Sequence, residues 1–142
     1  MVDKKKRPLP AVGVMILKGD KVLLGYRVAE SSHGGGTWCF PGGHLEFGES
    51  FKQCALREIK EECGVKVKNL RFQCVANLKK YDRHYVLIGF MADWALGEAK
   101  NLEPDRFDGW QWFSLKRLPK PLFQGTDVMI KNYKRNGSVF DS

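Results

Sequence analysis

Apolar residues recur at two periods along the chain. Ala11-Val-Gly-Val-Met-Ile-Leu17 is a short, mostly apolar run that reads as a buried strand, and Lys18-Gly-Asp20 supplies a turn. Lys21–Arg27 reads as the return strand of a hairpin, and Ser31–Thr37 is loop by composition. From Ser50 to Cys63 the period lengthens. Phe51, Ala55 and Ile59 repeat at i+4 and, with Leu56 and Cys63, predict one apolar helix face, with Gly64 as its stop. Two longer strands are predicted at about Lys68–Lys79 and Arg83–Trp94, joined by a turn near Tyr81-Asp82. A short strand follows at Gly109–Phe113. Ser114 is read as the cap of a brief helix, and Gln124–Arg135 as a final helix. Strands mixed with helices in this order predict an α/β (α+β) sandwich.

The chain has 142 residues, about one domain, with neither an internal repeat nor a Pro/Ser linker. Residues 1–7 are read as a flexible basic tail ahead of one domain over 8–142; a nuclear-localisation-like cluster is the other reading of that tail. No apolar stretch approaches the ~20 residues that span a bilayer, so no membrane partner is expected. Cys39, Cys54, Cys63 and Cys74 show no CxxC spacing and read as reduced thiols of a cytoplasmic protein. Lys plus Arg number 24 against 16 Asp plus Glu, a net charge of +8. Such a balance favours polyanions, either phosphorylated small molecules or nucleic acid.

Against that basic background, one segment is acidic. Glu58, Glu61 and Glu62 stand at i, i+3 and i+4, so a helix would set three carboxylates along one side. Like charges so placed weaken an isolated helix, and a solvated acidic face is their common fate. A hard divalent cation would reverse the repulsion, because Mg²⁺ takes oxygen ligands from a few carboxylates and from substrate phosphates. The Pro41-Gly42-Gly43 turn just before the helix allows close backbone approach to the same side.

The spacing over these residues is Gly43, five residues, Glu49, seven residues, then Arg57-Glu-Ile-Lys-Glu-Glu-Cys-Gly-Val65. It resembles the signature box of the Nudix hydrolases, GX5EX7REUXEEXGU with U aliphatic, at every defined position. The flanks Gly36–Ser50 and Asn101–Trp112 resemble those of small MutT-like nucleoside-triphosphate diphosphatases. The resemblance implies a sheet-and-helix sandwich whose loop-helix-loop forms the catalytic centre. It implies hydrolysis of a diphosphate linked to another moiety, with Mg²⁺ or Mn²⁺ as cofactor. By position, Glu58 and Glu62 are the implied metal ligands, with Glu61 acting directly or through water and Gly42 offering its carbonyl. Glu49 and Arg57 are implied to pair and brace the loop against the helix. Glu61, Glu62 and Glu103 are the implied catalytic acids, and Asp108 competes with Glu103 as the base from a later loop.

On the substrate side, the resemblance places Arg27 at the phosphates, with a strand-end surface arginine as the plain alternative. His44 and Leu45 follow the glycines and are placed toward base or sugar, although His44 also reads as an ordinary loop residue. Gln124 stands where nucleotide-hydrolysing relatives often carry Trp, which puts purine preference in doubt. Trp38, Trp94, Trp110 and Trp112 read as core. The expected substrate is a nucleoside or deoxynucleoside triphosphate, cleaved to the monophosphate and pyrophosphate. ADP-ribose, a nucleoside diphosphate sugar, a prenyl diphosphate or an RNA 5′ end are the alternatives. A nucleic-acid partner is not expected, for want of an aromatic-basic RNA-binding motif. A homodimer is a family-level expectation.

Overall fold

The structure, a computed structural model, describes residues 6–141. The predicted basic tail therefore lies mostly outside the described residues. The strands are β1 (Leu9–Lys18), β2 (Lys21–Arg27), β3 (Trp38–Cys39), β4 (Gly42–His44), β5 (Lys66–Leu78), β6 (Tyr85–Leu96), β7 (Phe107–Ser114) and β8 (Val139–Asp141). The helices are α1 (Phe51–Glu62) and α2 (Gln124–Arg135).

These strands form one mixed sheet in the order β3-β2-β1-β6-β5-β8, with β4 paired to β1 and β7 to β2. The centre is β1, which runs parallel to β6 and antiparallel to β2 and β4. Its alternation decides the layering. Val12, Val14 and Ile16 face a core closed by Cys54, Ala55 and Ile59 of α1. Met15 faces the other core, closed by Val128, Met129 and Ile130 of α2. One helix covers each side of the sheet, which is the predicted sandwich. Gly13 and Gly89 stand opposite each other on β1 and β6, and a Cβ on either would lie 3.2–3.3 Å from the Met129 side chain. Their missing side chains let α2 sit close.

Helix α1 starts at a capping box. Ser50 Oγ accepts from the Gln53 amide, and the Gln53 side chain accepts from the Ser50 amide. Ser114 does not cap a helix. It ends β7 and holds a turn, its hydroxyl accepting from the Lys116 amide and its carbonyl from the Arg117 amide. The strands β3, β4 and β8 were not expected; two or three residues are too few to show a period. All four cysteines are buried and free, and burial raises each thiol's pKa. The four tryptophans are partly buried against the two cores, as expected. No helix among the described residues is long and apolar enough to cross a membrane.

Candidate active site

The helix separates the three glutamates that the sequence set together. Glu62 is 0% exposed and Glu58 6% exposed, whereas the Glu61 side chain is 51% exposed. Only i and i+4 turn inward, because the sheet lies under that stripe and Glu61 falls on its solvent edge. Glu62 Oε1 accepts from the Gly42 amide at 2.8 Å, and Glu58 Oε1 from Arg57 Nη1 at 2.8 Å. The second oxygen of each, Oε2, is buried without a hydrogen bond. Burial raises the pKa of both, most strongly for Glu62, while Arg57 partly offsets the effect at Glu58.

Those two oxygens have the chemistry that suits a hard divalent cation. A buried carboxylate oxygen without a hydrogen bond is costly, and a hard divalent ion would satisfy it. Among the described residues no three His, Cys, Asp or Glu groups are already drawn into a complete ligand set. A pair suffices for Mg²⁺, which usually keeps several waters and completes its shell with substrate phosphates. The glycine that opens the box has a physical reason: a Cβ on Gly43 would lie 2.5 Å from the Glu58 carboxyl.

Arg57 braces this arrangement. Its Nε and Nη2 donate to the two oxygens of Glu49 at 2.6 and 3.1 Å, and Nη2 also reaches the His44 carbonyl at 3.1 Å. Nη1 donates to Glu58 and, at 3.2 Å, to Glu61. The hydrogen bond from Arg57 holds Glu49 down at about 2. Loop 44–49 is thereby tied to α1, the contact expected of Glu49 and Arg57.

Glu58 marks the acid end of a cavity of about 470 Å³, whose lining also includes Gly42, Gly43, His44, Arg27 and Arg106, while Glu62 is buried outside the lining. At the other end His33 sits in an aromatic box. Its ring meets Tyr81 and Phe123 edge-on at 5.2 and 5.1 Å and Tyr85 at 4.8 Å. Tyr81 stacks on Phe123 at 5.2 Å and is held at φ +61° in the β5–β6 turn, a conformation costly for a bulky residue. Arg27 lies over Phe123 at 4.7 Å and donates to the His33 carbonyl at 2.9 Å. Burial, with Arg27 and Arg83 nearby, lowers the His33 pKa to about 4, so the ring is neutral at pH 7. His44 lines the cavity, its Nε2 3.2 Å from the Tyr85 hydroxyl.

Two expected substrate residues stand elsewhere. Leu45 packs onto the α1 core because alternation turns it inward after His44, and it does not line the cavity. Gln124 is also outside the lining; it opens α2, and its amide donates to the Tyr81 hydroxyl at 3.1 Å. Of the two loop acids, Glu103 is near the pair, joined to it through Arg106, which lies 3.4 Å from Glu103 and 3.5 Å from Glu62. Asp108 is exposed and lines a separate small hollow with Tyr26 and Trp38. Nothing in the sequence marks His33, Tyr81, Tyr85, Arg83 or Phe123 as site residues. Arg106, also a new site residue, lies in the Asn101–Trp112 stretch that carries the resemblance.

A family model described as NUDIX domain matches residues 7–133. The chain is 36% identical over 110 residues to the NAD-capped RNA hydrolase NudC of Pseudomonas aeruginosa strain LESB58, covering 78% of this chain and 37% of that protein. It is 32% identical over 136 residues to the protein of that name from Pectobacterium carotovorum, covering 89% of this chain and 50% of the relative. The chain thus spans half or less of the length of these curated relatives. Its structure is similar to that of a MutT NUDIX hydrolase from Burkholderia pseudomallei, with a TM-score of 0.82 at 29% identity, covering 89% of this chain and 98% of that one. A UDP-X diphosphatase shares the fold at a TM-score of 0.72 and 22% identity, covering 99% of this chain and 70% of the other. With the box intact and the acid pair buried beneath its glycines, the chain belongs to the Nudix family.

Proposed function

We propose that the chain is a pyrophosphohydrolase that cleaves a nucleoside or deoxynucleoside triphosphate to the monophosphate and pyrophosphate, using Mg²⁺, with Mn²⁺ as substitute. The observation that carries this reading is one cavity lined by Glu58, with Glu62 buried beside it and each carboxylate half-satisfied, and by His33, Tyr85 and Phe123 with Arg27 and Arg106. Glu58 and Glu62 would hold the cation, with the Gly42 carbonyl and Glu61 as the further oxygen donors. The bound cation would neutralise the diphosphate and lower the pKa of an attacking water. The residues of the chain do the rest. Gly42 orients Glu62 through its amide, and Arg57 with Glu49 fixes the loop. Glu103 would be the loop acid that takes the proton of water, and Glu61 the exposed box acid that relays it. Arg27 would meet phosphate, and His44 with the rings of the box would face base and sugar.

A second reading keeps the chemistry and changes the substrate. The curated relatives are named NAD-capped RNA hydrolases, and the net charge of +8 suits a polyanion, so a dinucleotide diphosphate, free or at an RNA end, is its substrate. The test is turnover with Mg²⁺ across dNTPs, NTPs, NAD, ADP-ribose and nucleotide sugars, with products identified. Pyrophosphate plus monophosphate from a triphosphate is the expected result. Two mononucleotides from NAD, with triphosphates untouched, would select the second reading, and no product from any diphosphate would refute both.

A further inference from the structure

Each buried carboxylate has an arginine, and the two arginines are held differently. Arg57 is locked by Glu49 and the His44 carbonyl while it serves Glu58. Arg106 reaches Glu62 Oε2 only at 3.5 Å and Glu103 at 3.4 Å, beyond the ~2.7–2.9 Å of a good charge-assisted hydrogen bond. Its side chain is 43% exposed and lines the cavity. Its backbone is fixed, the amide donating to the Glu103 carbonyl at 2.9 Å and the carbonyl accepting from the Val28 amide at 3.0 Å. The loop is therefore set, while the guanidinium makes only long contacts, to both Glu103 oxygens, to Glu62 and, at 5.4 Å, to the Phe107 ring. A wholly buried carboxylate needs a compensating charge, and Arg106 supplies one across a gap that leaves Oε2 unbonded.

We propose that Arg106 is the resident counter-ion of Glu62, displaced from it by the divalent cation and turned toward the substrate phosphates in the cavity. This rests on the divalent-cation reading of the acid pair. One cation then exchanges for another, so Glu62 is compensated with or without metal. The arginine and the metal compete for the same oxygen, and removing the arginine favours the metal.

Competition gives effects of opposite sign on metal and substrate, which a merely structural ion pair would not. The test is Mn²⁺ binding without substrate, by calorimetry or electron paramagnetic resonance at pH 8.5, in wild type, Arg106→Gln and Arg106→Lys. Arg106→Gln should bind Mn²⁺ about three- to tenfold tighter while its KM for the diphosphate substrate rises several-fold. Arg106→Lys, which keeps the charge, should fall between it and wild type. Arg106→Gln should also melt lower than wild type without metal, and saturating Mn²⁺ should close that gap. Where that variant is too unstable for a binding isotherm, its Mn²⁺-induced rise in Tm should exceed that of wild type. Mn²⁺ affinity unchanged or weaker in Arg106→Gln, or a Tm rise no larger than wild type's, would overturn the proposal. The isotherm needs no substrate, so failure of the pyrophosphohydrolase reading would show separately, as Mn²⁺ binding without turnover.

Discussion

The two ends of the cavity are built on opposite plans. The acid end comes from one contiguous stretch, Gly42 to Glu62, in which a turn, a capped helix and one arginine clamp fix two buried carboxylates. The aromatic end is collected from His33, Tyr81, Tyr85 and Phe123, on three separate parts of the chain. Short-range order suits chemistry shared by every diphosphate, where atoms must be held closely. Long-range assembly suits the part that selects what the diphosphate is attached to, because each element can vary alone. Cleavage and substrate choice should therefore respond separately to mutation.

The largest expected effect is at the acid end. Glu62→Gln should lower kcat by at least ~10²-fold, because it removes a charge at the position where charge develops in the transition state. The fold should persist, since the amide oxygen still accepts from Gly42; turnover together with a circular-dichroism melt tests both statements. Gly43→Ala should come next. The added Cβ meets the carboxyl of Glu58, the far end of a flexible side chain, so the carboxyl shifts while the backbone stays. Activity or Mn²⁺ affinity should drop roughly tenfold with little change in Tm. A large fall in Tm with normal metal affinity would show that this glycine serves packing.

At the aromatic end the effects should be smaller and of another kind. Phe123→Ala removes the ring that Tyr81 stacks on and that edges His33, and should raise KM about two- to tenfold with kcat nearly unchanged. Equal losses in kcat would erase the proposed division between the ends. The smallest effect belongs to the clamp's acid-side stability. Glu49 titrates at about 2 in the folded protein against an ordinary 4.5, chiefly through its hydrogen bond from Arg57. Its contribution is therefore complete above pH 4.5 and is lost as pH falls from 4.5 toward 2. In Arg57→Ala the decline of Tm across that window should be shallower than in wild type, as measured by melts at pH 4.5, 3.5 and 2.5.

This division also decided what could be read from the sequence. Helix α1 and its clamp were legible because Gly43, Glu49, Arg57 and the glutamates lie within a few turns, where spacing is geometry. The layering was legible from the apolar run of β1, and the sandwich followed. Helical spacing alone grouped Glu61 with Glu58 and Glu62; it could not say that the sheet edge falls between them. The place of Leu45 after the glycines suggests a substrate contact, whereas alternation continuing one residue past the short β4 turns it into the core. The box around His33 carries no local signal. Tyr81 reads only as a turn residue until β5 and β6 bring it against Phe123 from α2's approach.

A hydrolytic centre built by Glu58 and Glu62 around a divalent cation must show cation dependence. Hydrolysis of the best substrate should be absent in EDTA and return saturably as Mg²⁺ is added back. Comparable turnover in EDTA would contradict it.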